Sequence, residues 1–250
     1  MRGVAIFSGT TEGRTLSHQL AAEGIPVTVC VATDYGQAEQ GQAPGITVHT
    51  GRLEPSGMAA LVAGASLCVD ATHPYAAQAS ANIRAACEQA GVAYLRLLRP
   101  ASPLPENALT ASDAAEAARL LADTEGNILL TTGAKELTAF APLGGQRLIA
   151  RVLPSHAGLD ACEAAGIPAH NIIAMQGPFT REMNQAILRQ FSVRYLVTKD
   201  GGAAGGFDAK AEAARAAGAT LVVIRRPADA GASYRDVLEL CRKAGKPCSK

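Results

Sequence analysis

Short runs rich in Val, Ile and Leu alternate with alanine-rich amphipathic stretches along the whole chain. Parallel strands covered by crossover helices on both faces have this pattern, because such strands are apolar throughout. The alternation therefore predicts an α/β protein. We predict strands near residues 4–7, 27–32, 47–49, 67–70, 94–97, 128–131, 147–152, 172–174, 195–198 and 221–224. Helices are predicted near residues 12–23, 56–63, 76–90, 113–122, 134–139, 157–165, 180–191, 207–217 and 234–243.

Three prolines lie close together near the middle of the chain, at Pro100, Pro103 and Pro105. Proline lacks a backbone N–H and does not continue a helix or a central strand, so we place a domain boundary there. Residues 1–102 and 103–250 are then two doubly wound Rossmann-like domains, each with a parallel sheet of five strands. The cleft between two such domains is the expected ligand site. One continuous sheet is the alternative.

The charge balance argues against two classes of partner. The chain has 23 Lys and Arg against 22 Asp and Glu, so no excess of positive charge favours nucleic acid or an anionic membrane. No run reaches the roughly 18–20 apolar residues of a membrane span, and the first residues do not resemble a signal peptide. The six cysteines lack the spacing of a metal site. We expect a cytoplasmic protein without a metal.

The segment 8–14, Ser-Gly-Thr-Thr-Glu-Gly-Arg, follows the first predicted strand and begins the first helix. Backbone N–H groups at a helix N-terminus, with glycines and hydroxyls beside them, favour a phosphate site. The segment matches neither G-x-G-x-x-G nor the P-loop, so a simple helix cap is the alternative. Thr33 and Asp34 end the second strand, where a dinucleotide fold presents an acid to the ribose and favours NADH over NADPH. A turn before Gly36 is the alternative there.

Polar residues also follow the fourth predicted strand, in the segment 70–76, Asp-Ala-Thr-His-Pro-Tyr-Ala. Ligands of open α/β sheets bind at this carboxyl edge, which favours a binding role for Thr72, His73 and Tyr75. A hydrogen-bonded structural histidine is the alternative for His73.

The second half of the chain repeats the arrangement. The strand near 195–198 leads into the glycine-rich segment 199–206, and the following helix carries Lys210. Glycines and lysines at a helix start favour an anion site with positive charge, and a flexible turn is the alternative. Guanidinium and ammonium groups at further strand ends suit carboxylates. The residues with such groups are Arg96, Arg99, Arg151 and, in the segment 131–135, Lys135, and the amide of Gln176 lies at another strand end.

Motifs of hydrolytic enzymes are missing. The sequence has neither a G-x-S-x-G elbow nor H-E-x-x-H, so a bound cofactor is the expected source of the chemistry.

Seven of these segments resemble the precorrin-6A reductase family of cobalamin biosynthesis, in family order across nearly the whole chain. They are Ser-Gly-Thr-Thr-Glu-Gly-Arg at 8–14, Val-Ala-Thr-Asp-Tyr-Gly at 31–36, Asp-Ala-Thr-His-Pro-Tyr-Ala at 70–76, Arg-Leu-Leu-Arg-Pro at 96–100, Ala-Arg-Val-Leu-Pro at 150–154, Ile-Ala-Met-Gln-Gly-Pro-Phe at 173–179 and Val-Thr-Lys-Asp-Gly-Gly at 197–202. The stretches 32–36 and 50–53 look closer to the cobalt-precorrin-6A branch.

The resemblance implies the reduction of one double bond of (cobalt-)precorrin-6A by NADH or NADPH, with NADH favoured, to give (cobalt-)precorrin-6B. Its implied partners are the tetrapyrrole and other enzymes of the pathway by substrate hand-over. On this basis we assign the cofactor to Gly9, Thr10, Thr11, Glu12, Gly13, Arg14, Thr33, Asp34 and Thr72. Substrate carboxylates are expected at Arg99, Arg151, Gln176, Asp200, Gly201 and Lys210. The candidate catalytic residues are Lys199, His73 and Tyr75, with Lys199 or His73 as the proton donor.

Two alternatives remain open at this point. One is another nucleotide- or sugar-phosphate-binding α/β enzyme, and the other is a non-catalytic ligand-binding module. The reverse arrangement, with the cofactor on the second glycine-rich segment, is also open.

Overall fold

The computed structural model describes residues 3–99, 102–202 and 205–245. The chain divides into two compact units. Unit 1 comprises Met1–Pro100 and Ala228–Lys250, and unit 2 comprises Ala101–Pro227.

Unit 1 contains one parallel sheet of five strands in the order β3-β2-β1-β4-β5. The strands are β1 Val4–Ser8, β2 Val27–Val31, β3 Ile46–Thr50, β4 Leu67–Ala71 and β5 Tyr94–Arg96. The helices between them are α1 Thr11–Ala22, α2 Asp34–Gln40, α3 Pro55–Val62 and α4 Ala77–Ala90. From β1 the chain adds β2 and β3 on one side, and then β4 and β5 on the other side. The crevice at the carboxyl ends of β1 and β4 is therefore the topological switch point.

Both faces of the first sheet are covered, as the continuous apolar runs predict. Val4 and Ile6 of β1 pack in one buried cluster together with Leu16 and Leu20 of α1. The alternate residues Ala5 and Phe7 pack in a second cluster with residues of α3 and α4.

Unit 2 contains a parallel sheet of six strands in the order β6-β11-β10-β7-β8-β9. The strands are β6 Leu109–Ala111, β7 Asn127–Leu130, β8 Leu148–Val152, β9 Ile172–Ala174, β10 Val193–Lys199 and β11 Thr220–Ile224. The α-helices are α5 Ala114–Leu120, α6 His156–Ala164, α7 Arg181–Gln190 and α8 Phe207–Ala217, and 3-10 helices span Ala134–Leu143, Gly145–Arg147 and Ala169–Asn171. The switch point of this sheet lies between β7 and β10.

Three elements differ from the sequence predictions. The second sheet has a sixth strand, β6, which was missed because three residues are too short to show a period of two. The helix α2 was not predicted, because Asp34 was considered as a ribose contact or as a turn residue, whereas the Thr33 hydroxyl accepts a hydrogen bond from the Gly36 N–H and caps a helix. Residues 134–139 were predicted as an α-helix and belong to a 3-10 helix that contains Pro142.

The domain prediction for residues 103–250 also needs a correction, because the chain returns to unit 1 at Ala228. The last helix, α9 Tyr234–Gly245, buries Val237, Leu238 and Cys241 in the same apolar cluster as α1. The Tyr234 hydroxyl donates a hydrogen bond of 2.8 Å to the Gln19 side chain on α1. A helix pattern reveals an apolar face but not the sheet that it covers, so the sequence could not show this return.

Among the described residues, no helix is long and apolar enough to cross a membrane.

Candidate functional site

Backbone groups and hydroxyls line the switch point of the first sheet. Thr10 caps α1: its Oγ1 accepts a hydrogen bond of 3.2 Å from the Gly13 N–H and donates one of 2.9 Å to the Ala71 carbonyl at the end of β4. Gly13 is buried, and a Cβ there would lie 2.8 Å from the Ala71 Cβ. Gly9 is exposed, and its Cβ would be 3.8 Å from the nearest backbone atoms. Gly13 is therefore required for helix packing, whereas the space at Gly9 is open to a ligand.

Three further predicted cofactor residues lie after the ends of β4 and β2. Thr72 follows β4, and its hydroxyl donates a hydrogen bond of 2.7 Å to Asp70. Thr33 and Asp34 follow the neighbouring strand β2, where Thr33 caps α2 and Asp34 lies in the first turn. Thr11 is exposed at the start of α1. The structure thus brings most of the predicted cofactor residues to one edge of unit 1.

His73 and Tyr75 lie together after β4. His73 is exposed, and its ring centroid is 5.5 Å from that of Tyr75 with a tilt of 31°. Neither ring is buried, so both are accessible to a ligand at this edge.

A buried network of charges lies beneath these residues. The Arg96 guanidinium donates hydrogen bonds of 2.8 Å to Asp70 and 2.7 Å to Asp229, and Arg96 is only 3% exposed. Burial alone would raise the pKa of Asp70, but hydrogen bonds from Ser80 and Thr72 and the charge of Arg96 outweigh it and lower that pKa. Tyr94 also donates a hydrogen bond to Asp70, and its own pKa is raised, first by burial. Every cation of this network has an acid partner.

Two pairs involve residues that the sequence assigned to ligands. Arg99, predicted to bind substrate, donates hydrogen bonds of 3.0 and 2.7 Å to Glu12, which was assigned to the cofactor. Arg14 contacts Glu39 at 3.2 Å on the surface. The Glu12 carboxylate would repel a phosphate at the N-terminus of α1, and Arg99 compensates its charge.

The switch point of the second sheet carries Lys199 at the end of β10. Its ammonium Nζ lies 2.7 Å from the Glu136 Oε1, and the two side chains are 20% and 28% exposed. Glu136 is in the 3-10 helix after β7, the strand next to β10. Sequence reasoning selected the segment 131–135 and stopped one residue before Glu136.

Asp200, predicted to bind substrate, already forms an ion pair within the protein. Its Oδ2 accepts a hydrogen bond of 3.0 Å from the Arg226 Nε, the Arg226 Nη2 lies 3.0 Å from its Oδ1 in an ion pair, and Asp200 is buried. Burial would raise the pKa of Asp200, but the hydrogen bonds from Arg226 and Ser102 outweigh it and lower the pKa. Gly201 is buried beside it. Arg226 was missed, and its only sequence signal is its position just after β11.

Arg151 and Lys210 are different, because no acid among the described residues pairs with either cation. The Arg151 guanidinium is buried, donates a hydrogen bond of 2.8 Å to the Asn184 side chain and lies 4.0 Å from the Phe179 ring centroid. Burial lowers the pKa of Arg151 to about 10. Burial and, second, the charge of Arg151 lower the pKa of Lys210 to about 8. An anion at this position would relieve both effects.

The strands beside Arg151 end in exposed apolar side chains. Leu153 follows β8 and is 60% exposed, and Met175 follows β9 and is 42% exposed. The Met175 N–H donates to the Val152 carbonyl, so the two side chains belong to adjacent strand ends. Gln176 is exposed next to Met175.

The cysteines of the described part of the chain lie in its interior. Cys30, Cys68, Cys87, Cys162 and Cys241 are free and buried, and Cys248 lies outside the described residues. Burial raises the pKa of Cys30 to about 11 and that of Cys241 to about 12, so these thiols remain protonated near neutrality.

Comparisons with known proteins agree in sequence and in fold. Residues 3–243 match the family described as Precorrin-6x reductase CbiJ/CobK. The cobalt-precorrin-6A reductase of Priestia megaterium is 37% identical over 231 residues, which cover 90% of each chain. The cobalt-precorrin-6A reductase of Salmonella typhimurium is 37% identical over 233 residues, covering 90% of this chain and 87% of its own. A solved structure titled "CobK precorrin-6A reductase" is similar over 98% of both chains, with a TM-score of 0.78 and 27% identity.

Proposed function

Because the chain belongs to the precorrin-6x reductase family, we propose that it reduces one double bond of cobalt-precorrin-6A with a reduced nicotinamide cofactor, giving cobalt-precorrin-6B in cobalamin biosynthesis. Both of the curated relatives described above carry the cobalt name, which favours the metal-loaded substrate.

The first switch point fits the cofactor. Exposed Gly9 and the first N–H groups of α1 suit a pyrophosphate, which binds at helix N-termini in such folds, and Thr10 holds that helix start against β4. Asp34, after β2, is positioned to accept hydrogen bonds from an adenosine ribose. A carboxylate there repels the extra phosphate of NADPH, so we expect NADH to be preferred. Thr72, His73 and Tyr75 are assigned to the nicotinamide side.

The unpaired cations Arg151 and Lys210 are the observation that supports the substrate assignment most directly. A buried guanidinium that has no acid partner in the described part of the chain is unfavourable in the free protein, and a ligand carboxylate would supply the missing charge. The substrate carries many carboxylates around a macrocycle. Of the predicted substrate residues, Arg99 and Asp200 are already paired with Glu12 and Arg226. We therefore assign the main carboxylate contacts to Arg151 and Lys210.

Leu153 and Met175 suit the body of the same ligand. They offer adjacent exposed apolar surface beside Arg151, and the macrocycle has apolar faces with charges at its rim. A surface with apolar side chains next to uncompensated cations matches that distribution.

A reduced nicotinamide held at the first switch point would supply the hydride for one carbon of the double bond. A proton must reach the other atom, and Lys199 is the proposed donor, with His73 as the alternative. Arg151 and Lys210 fix the substrate by its carboxylates, so that the reacting carbon is held in one orientation. Asp70 and Arg96 hold Thr72, and the loop that carries His73 and Tyr75, against the sheet.

An anaerobic activity grid tests the proposal. Purified protein is mixed with NADH or NADPH and with cobalt-loaded or metal-free precorrin-6A, and the absorbance of the reduced nicotinamide and the mass of the tetrapyrrole are followed. We expect nicotinamide oxidation together with a gain of two hydrogens, fastest with NADH and the cobalt-loaded substrate.

Each alternative has its own result in the same grid. Binding of either ligand without turnover, in protein that is folded by circular dichroism, would indicate a ligand-binding module. Neither binding nor turnover with any tetrapyrrole would reject the substrate and favour another nucleotide-dependent enzyme.

A further inference from the structure

Glu136 occupies a position where this fold class binds ligands. Glu136 lies in the first turn of the 3-10 helix that follows β7, and its partner Lys199 is the last residue of β10. The pair therefore lies at the switch point of the second sheet. The distance of 2.7 Å between Oε1 and Nζ is that of a charge-assisted hydrogen bond.

Two buried polar atoms in the segment that follows β7 lack a hydrogen-bond partner among the described residues. The second carboxylate oxygen, Glu136 Oε2, is buried and has no hydrogen-bond partner among the described residues. The hydroxyl of Thr132, a residue that is itself only 6% exposed, is also buried without a partner there. Buried polar atoms without partners are rare in native proteins, because each has lost its hydrogen bonds to water without replacement. A purely structural ion pair gives no reason to retain two of them at a ligand edge.

We propose that Glu136 is a positioning residue that acts through Lys199, fixing its ammonium in the orientation from which it protonates the substrate. This inference rests on the proposed function, in which Lys199 is the proton donor. A lysine side chain has four rotatable bonds, and a fixed carboxylate removes much of that freedom before the reaction.

The proton balance of the step is simple. One Nζ–H bond of Lys199 breaks, and a new C–H bond forms at the atom of the double bond that does not receive the hydride. The resulting amine recovers a proton from water. Glu136 neither gives nor takes the transferred proton, so its contribution is geometry and charge.

A double-mutant cycle on the full chain tests the inference. The variants are Lys199→Met, Glu136→Gln and their combination, with kcat and KM measured in the reductase assay. We expect Lys199→Met to lower kcat at least 100-fold, as for loss of a proton donor, and Glu136→Gln to lower it about tenfold at unchanged KM. In the Lys199→Met background, Glu136→Gln is expected to cause no further loss.

Two further variants complete the design. Glu136→Asp keeps the charge and is expected to retain more of kcat than Glu136→Gln. Glu212→Gln, which removes the exposed pair with Arg181 at 4.0 Å, is the matched control and is expected to leave kcat unchanged.

The outcomes separate this inference from the proposed function. If Lys199→Met leaves kcat unchanged, the proposed role of Lys199 is wrong and the inference fails with it. If Lys199→Met is slow but Glu136→Gln is as fast as the unchanged protein, the inference alone is overturned. An equal loss from Glu136→Gln in both backgrounds would show a structural role and would also overturn it.

Discussion

The carboxyl edges of the two sheets differ in how their cations are compensated. At the edge of unit 1, Arg96 contacts Asp70 and Asp229, and Arg99 contacts Glu12. At the edge of unit 2, Lys199 and Arg226 have acid partners, whereas Arg151 and Lys210 have none among the described residues.

The difference indicates two kinds of site on one architecture. At the first edge the buried arginines are neutralised by acid partners. This edge therefore presents mainly backbone N–H groups and hydroxyls, which suit a nucleotide. The second edge has excess positive charge next to exposed apolar side chains, which suits a polycarboxylate macrocycle.

The largest effect is expected from removing a paired cation at the carboxyl edge of unit 1. Arg96→Met leaves Asp70 buried and unpaired, and we expect the free energy of unfolding to fall by about 3–5 kcal/mol in urea denaturation. Arg14→Met removes the exposed pair with Glu39 and is the control, with an expected loss of at most about 1 kcal/mol. Similar losses in the two variants would contradict the distinction between buried and exposed pairs.

Glycine substitutions separate the structural and ligand-facing positions of the same edge. In Gly13→Ala the new Cβ clashes with Ala71, and we expect a loss of about 1–3 kcal/mol in the free energy of unfolding. In Gly9→Ala there is room in the free protein, so stability is expected to change by less than about 0.5 kcal/mol. The methyl group of Gly9→Ala then occupies space proposed for the pyrophosphate and is expected to raise the NADH Kd about tenfold. Unchanged NADH binding by folded Gly9→Ala would move the cofactor to the second glycine-rich segment.

The pH dependence of substrate binding sharpens the contrast at the second edge. The lowered pKa of Lys210, about 8, means that its positive charge is lost as the pH rises through that value. Substrate carboxylates stay ionised over this range, so we expect the substrate KM to rise about tenfold between pH 7 and pH 9. Lys210→Met should abolish this dependence, and Lys243→Met, an exposed lysine on α9, should retain it. A KM that rises equally in Lys210→Met would assign the pH dependence to another group.

The smallest effect is expected from the apolar part of the second edge. Leu153→Ser removes an exposed side chain that contacts only the ligand in our proposal, so KM is expected to rise about threefold with unchanged stability. Leu120→Ser, at an exposed leucine on α5, is the control and should change neither quantity. Identical KM values in both variants would exclude Leu153 from the substrate surface.

Sequence reasoning located most elements and most strand-end residues, because apolar strands and their polar ends have local signatures. It could not show which of those residues contact one another. The contact of Arg99 with Glu12 spans 87 positions and that of Arg96 with Asp229 spans 133, and no local pattern encodes such distances. The return of α9 to unit 1 was missed for the same reason. Arg151 and Lys210 were found by residue type, but only the structure shows that they have no acid partner within residues 3–99, 102–202 and 205–245.

The Arg151→Met variant tests the central claim most directly, when its substrate affinity and its stability are measured together. The variant leaves no acid among the described residues unpaired, and removal of an uncompensated buried charge offsets the hydrogen bond lost at the buried Asn184 oxygen, so we expect the free energy of unfolding to change by less than about 1 kcal/mol. The equilibrium Kd for cobalt-precorrin-6A should rise at least tenfold, since a charge-assisted hydrogen bond is lost. A fall in stability of more than about 2 kcal/mol with an unchanged substrate Kd would show that Arg151 serves the fold, and would contradict the account.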